Sequence, residues 1–129
     1  MNFELKREDW ERFFENLSKR RYEWITEVEV LSTQLGDQTL SNGLPLNGIT
    51  VETVHDQVSI DISVGQTSGN HQTHTIKNPI RVAFLAGDDV HGDVVDIEEL
   101  DGTKTLIRFT EPMGILVGFA EYDVITASA

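Results

Sequence analysis

At residue 24 the spacing of apolar residues changes from a helical period to a period of two. Before that point, Trp10, Phe13, Phe14 and Leu17 stand at i, i+3, i+4 and i+7. That is the stripe of an amphipathic helix over 8–21. Glu8, Asp9 and Glu11 open the segment and Lys19, Arg20 and Arg21 close it, so both ends complement the helix dipole. No Ser, Thr or Asn precedes it, which leaves Asp9 as the cap if the helix starts late. Three aromatic rings on one short helix need a broad apolar surface, most simply a sheet, with a partner protein as the alternative.

After that point, Trp24, Thr26, Val28 and Val30 share one face of a half-buried strand. Ile49–Val54 and Val58–Val64 form the clearest hairpin, joined by His55-Asp56-Gln57, with Val58, Ile60, Ile62 and Val64 on one face. Thr73–Ile76 and Ile80–Leu85 read as two parts of one strand, broken at Asn78-Pro79 because proline has no ladder donor. Asp93–Leu100 and Thr103–Thr110 flank Asp101-Gly102, a pair suited to a type I′ turn. Residues 34–48, punctuated by Gly36, Asn42-Gly43, Pro45 and Asn47-Gly48, read as a long loop. Ile115–Thr126 reads as a further strand or a tail.

The expected fold class is therefore α+β. An N-terminal amphipathic helix, 8–21, packs on a strongly bent antiparallel sheet or small barrel of six to seven strands. The 129 residues suit a single domain, with a β body over 24–110 and a C-terminal strand or tail at 113–129.

Charge narrows the range of partners. Residues 1–24 hold six basic and six acidic groups. The remaining chain has only Lys77, Arg81, Lys104 and Arg108 against sixteen carboxylates, so it carries the entire net charge of −12. Nucleic acid and anionic membrane surfaces repel such a body. No run of 18 apolar residues is present, and the opening residues lack the apolar core of a signal peptide. Cysteine is absent, which removes disulfides, thiolate nucleophiles and cysteine-ligated metals. We expect a cytoplasmic protein with neither nucleic acid nor membrane as partner.

The strongest candidate site is the stretch His71 to Arg81. His71 and His74 stand three residues apart, followed by Asn78, Pro79 and Arg81. In a helix or turn the two imidazoles would converge on a metal. In a strand, i and i+3 point to opposite faces, and Thr73, Thr75 and Ile76 favour a strand. The expectation is thus His71 in the preceding loop, His74 on the strand, and no metal or other cofactor. Arg81 and Arg108, isolated cations on strands, are expected to pair with cross-strand carboxylates. Asp88-Asp89-Val90-His91-Gly92-Asp93 fails the calcium-loop register, which needs oxygen ligands at positions 1, 3 and 5 and glycine at 6. The chain contains no Gly-x-Ser-x-Gly elbow, no His-Glu-x-x-His and no phosphate-cradling glycine loop.

Several segments taken together are similar to a bacterial domain-of-unknown-function family of small acidic proteins. They are Trp10-Glu11-Arg12-Phe13-Phe14, Trp24 to Val28, Gly43 to Ile49, His71 to Val82 and Asp101 to Phe109, with the His-Thr-x-x-Asn-Pro element the most specific. The resemblance covers residues 8–110 and implies no activity, cofactor or partner. Function is therefore expected from the residues alone: a non-catalytic binding or protein-interaction module, with no catalytic residue assigned. We expect it to be a homo-oligomer, most simply a dimer, with His71, His74, Asn78 and Arg81 as ligand-binding candidates. The alternative is a small enzyme or metal-binding protein using the same four residues.

Overall fold

The structure, a computed structural model, describes residues 2–66, 69–87 and 92–110. The expected strand or tail at 113–129 and the Asp88–His91 part of the rejected calcium loop lie outside the described residues. The element order is β1 (Asn2–Leu5), a 3-10 turn (Arg7–Asp9), α1 (Trp10–Arg20), β2 (Ile25–Ser32), β3 (Gly36–Val54), β4 (Gln57–Gly65), β5 (His71–Lys77), β6 (Pro79–Leu85), β7 (Val94–Glu99) and β8 (Lys104–Phe109). All the strand pairs are antiparallel, in the order β1-β6-β7-β8-β2-β3-β4-β5.

Three expectations about architecture change. Among the described residues there are eight strands rather than six or seven, and of the two expected forms they take the open sheet and not the closed barrel. The helix is not the first element, because Asn2–Leu5 pairs with β6 ahead of it. Four residues with no flanking turn signal carry too little pattern to be recognised as a strand. The third change is at 34–48, where only Gln34 and Leu35 lie in a turn and 36–48 is the first part of β3. Gly43 and Asn47 sit at bulges, with Asn42 and Gly48 beside them. Pairing with β2 skips Leu40 and Gly43, and pairing with β4 skips Asn47. Gly43 takes φ +86 with open space where a Cβ would stand, so a glycine inside a strand here serves a kink. Each extra residue shifts the alternation by one, which hides the strand from a period-two search.

The bulges let β3 serve two partners, β2 along its first half and β4 along its second. The sheet curls as a result. From β6 to β4 is five steps in strand order, about 24 Å if flat at ~4.8 Å per step. Yet β4 and β6 bring Cα atoms within 8 Å of each other. The chain crosses from β5 at one margin to β6 near the other through Asn78 alone. Asn78 adopts φ +53 there and donates its backbone N–H to Val58 O at 2.9 Å.

The helix fills the curl. Trp10, Phe13, Phe14 and Leu17 are all buried, in one cluster with Phe3, Ile49, Ile60, Ile62, Val82, Phe84, Ile97 and Ile107. Phe13 meets Phe14 and Phe84 edge-on, with ring centroids 5.2 and 6.0 Å apart. Asp9 stands at the cap position without a capping bond, its carboxylate instead accepting from Arg12 at 3.2 Å. Ser18 fastens the helix to β3: its hydroxyl donates to Ile49 O at 3.2 Å and accepts from Ile49 N at 2.8 Å.

The turns refine the expected hairpins. His55 and Asp56 both have positive φ (52 and 66), so the β3–β4 connection is a two-residue turn of the type I′ kind, and Gln57 belongs to β4. The Asp101-Gly102 hairpin exists, but only Gly102 is left-handed, at φ +92. Glu99 N–H donates to Thr103 O and Gly102 N–H to Glu99 O, which makes a three-residue loop rather than type I′.

Because Phe14 is fully buried among these rings, Phe14→Ala is expected to cost about 3–5 kcal/mol. Chemical denaturation measures this; a loss within about 0.5 kcal/mol, the usual surface range, would show that the helix face does not seat in the sheet.

Candidate functional site

The strand pattern of β5 decides what the His71–Arg81 stretch can do. β5 pairs with β4 in unbroken register, Gly65 opposite His71 and Ser59 opposite Lys77. Two bonds flanking this ladder fix its phase. Gln66 N–H donates to Asn70 O, and Asn78 N–H donates to Val58 O. Antiparallel pairs alternate, so Gln72, His74 and Ile76 direct their backbone groups at β4. His71, Thr73, Thr75 and Lys77 direct theirs away from the sheet. Gly65 is required at the tip, because a Cβ there would run into Asn70 O and His71 Cα at φ +132.

His71 is the first residue of β5, not a loop residue. It is exposed, with Nε2 3.1 Å from Ser63 Oγ, which in turn accepts from Asn47 Nδ2 at 3.4 Å. His74 lies on the opposite face, with buried Ile76 two residues on and Ile62 across the ladder. It lines a cavity of about 10 Å³ with Val28, Leu40, Ser41, Ile62, Val64 and Gln72. Two buried polar atoms on that wall, His74 Nε2 and Ser41 Oγ, make no hydrogen bond within the protein. Burial pushes the His74 pKa down from its ordinary 6.5.

Asn78 sits at the crossing between the two margins of the sheet. Arg81 is held on the outer face by Glu4 of β1 at 3.2 Å and Glu98 of β7 at 3.5 Å. Arg108 likewise meets Glu29 at 3.4 Å and Glu27 at 4.0 Å. The four candidate residues therefore occupy different settings: an outer face, a cavity, a corner and an ion-pair network. Among the described residues, no three His, Asp or Glu side chains are grouped to hold a metal ion.

Sequence reasoning missed one chemically distinctive arrangement. Arg21, only 3% exposed, stacks its guanidinium 4.1 Å from the Trp24 ring centroid and 5.1 Å from that of Phe109. It donates to Asp93 Oδ2 at 2.7 Å, while Asp93 Oδ1 accepts from Gly87 N–H at 2.5 Å. The pair ties the helix end to the strands β6–β8. Arg21 was legible only as a cation suited to a helix C-terminus, since 72 residues separate it from Asp93. Asp96 is a second outlier: burial raises its carboxyl pKa against the opposing pull of Lys104 and Arg81. One of its oxygens lies 3.9 Å from Lys104 Nζ and the other is buried without a bond.

A family model described as a family of unknown function, DUF5335, matches residues 1–116. The chain belongs to the DUF5335 family. An uncharacterized protein of Aquifex aeolicus (strain VF5) is 26% identical to it over 104 residues, covering 81% of this chain and 87% of that relative. No solved structure matches the chain. The DUF5335 match spans all eight strands and the helix, so the His74 cavity and the Arg21–Asp93 pair both lie inside the family's own region.

Two outcomes follow from this geometry. Removing Asp93 takes the carboxylate at 2.7 Å away from a buried guanidinium, so Asp93→Ala is expected to cost about 3 kcal/mol, the lower end for a broken buried pair because Asp93 keeps some solvent contact. Chemical denaturation measures this, and a cost below about 0.5 kcal/mol would show the pair to be idle. The second outcome concerns pH. With the folded pKa of His74 lowered, the unfolded chain takes up the proton first. The stability it contributes is full above about 6.5 and is lost as pH falls toward the lowered folded value. Between about pH 7 and 5 the wild type should lose more stability than His74→Leu, with Asp96 and other titrating groups common to both. Parallel pH profiles would show that His74 is not held neutral.

Proposed function

We propose that the protein is a non-catalytic protein-interaction module. The observation that supports this is the contrast along β5. Its chemically able side chains diverge, while its backbone presents an edge with the N–H and C=O groups of His71, Thr73, Thr75 and Lys77 unpaired by any described strand. Such an edge is a template for another chain. The other margin, β1, is only four residues long and is braced by the Glu4–Arg81 pair.

We also propose that the module works as a homodimer. Leu35 and Leu100, 75% and 81% exposed, sit on the β2–β3 and β7–β8 turns. These turns lie side by side because Leu31 pairs with Lys104. A closed twofold dimer, the commonest oligomer symmetry, would cover both leucines. A cytoplasmic setting belongs to the same proposal and fits a chain without cysteine. Among the described residues, no helix is long and apolar enough to cross a membrane.

Light scattering over a dilution series should find a dimer that Leu35→Lys with Leu100→Lys converts to a monomer. A wild-type chain that stays monomeric at high micromolar concentration refutes the dimer. Elemental analysis of the purified protein tests the module itself: stoichiometric zinc, nickel or iron, lost in His74→Ala, would overturn the non-catalytic reading in favour of a metal protein.

A further inference from the structure

We infer that the edge of β5, which pairs with no other strand among the described residues, takes an extended acidic peptide segment, added as a further strand, with a carboxylate received at Lys77. The inference rests on the interaction-module reading and names the chemistry of the partner.

Three observations carry it. The first is the edge itself. Seven residues run in register with β4, with no bulge and no proline to deter pairing. The backbone groups that point outward belong to odd-numbered residues, whose side chains are all exposed. An incoming strand therefore finds main-chain partners without disturbing the β4–β5 ladder.

The second is charge. Beyond residue 24 the chain has four basic side chains and carries the whole −12. Three of the four are already engaged: Arg81 with Glu4 and Glu98, Lys104 with Asp96, Arg108 with Glu27 and Glu29. Lys77 has no carboxylate within ion-pair distance among the described residues. It is the one sheet cation left to meet an acid from elsewhere, and it lies on the open edge. His71 and His74 are the other ionisable groups of β5, and the strand has no acidic residue. The nearest cross-strand acid, Asp61, is occupied by the Thr75 hydroxyl at 2.6 Å.

The third is shape. The edge runs into a groove of about 430 Å³ where Lys77 and Asn78 face His55, Gln57 and Ser59. Val54 and Val58 complete its lining, so the groove offers an apolar wall for the stem of a glutamate side chain and Lys77 for its carboxylate. A second copy of β5 is the poorer occupant, since that strand has no acidic residue to set against Lys77.

The test is an amide NMR titration of the full chain with three capped hexapeptides that alternate valine with glutamate, glutamine or lysine. The glutamate peptide should shift the amides of His71, Thr73, Thr75 and Lys77 most. It should bind at least about tenfold more tightly than the lysine peptide at about 0.15 M salt, where charges of the body beyond about 8 Å are screened and Lys77 decides. Thr73→Pro removes an outward N–H without touching the ladder, so it should abolish binding and keep the remaining spectrum. Lys77→Glu should reverse the order of the glutamate and lysine peptides. Equal affinity for all three peptides, or shifts centred away from β5, would overturn the acidic assignment. Absence of binding by the glutamate peptide would overturn the edge as a peptide site. Loss of the dimer in Thr73→Pro would assign the edge to a second copy and overturn it as well. None of these outcomes alters the metal and light-scattering results that decide the module reading itself.

Discussion

The 19 residues of β3 set the shape of everything else. A flat strand of that length would make one broad sheet with two open faces. Skipped residues at Leu40, Gly43 and Asn47 bend it instead, so its halves lie in differently directed parts of the sheet. The bend turns the apolar faces of β4 and β6 toward each other. That leaves a hollow of the right size for one helix with three aromatic rings. Ser18 then locks the helix to the bent strand through both backbone groups of Ile49. The core is a consequence of the curvature, and the curvature comes from three surplus residues.

The same curvature separates the chemistry of the chain. It brings Asn78 to a corner, Arg81 among carboxylates and His74 against Ser41, and leaves His71 outside. Residues that look like a constellation in one dimension are dispersed in three. What remains concentrated is main-chain hydrogen-bonding capacity on β5 and one unengaged ammonium group beside it.

Legibility in the sequence followed periodicity. The α1 stripe and the Val58–Val64 alternation were visible because nothing interrupts them. The opposite facing of His71 and His74 was visible for the same reason, since a strand has only two sides. β3 was invisible where its bulges break the alternation and place Asn-Gly pairs inside a strand. β1 was invisible because four residues carry no period. The Arg21–Asp93 pair and the Ser41–His74 cavity join positions far apart in the chain, and such contacts leave no local trace. The resemblance to a family of unknown function was legible through its motifs, and it brought no chemistry with it.

The pairing order has a kinetic consequence. β1 is synthesised ahead of the other described strands, yet its partner β6 begins some 75 residues later, with Asn2 opposite Leu85. β2 has a local neighbour in β3 but also waits for β8. During synthesis the aromatic face of α1 and the side chains of Phe3 and Leu5 have no complete hollow to enter until β6 emerges. Sheets built from such distant pairs fold slowly, because loop closure is costly before the contacts that reward it can form. A nascent chain of this topology exposes its stickiest residues early and covers them late.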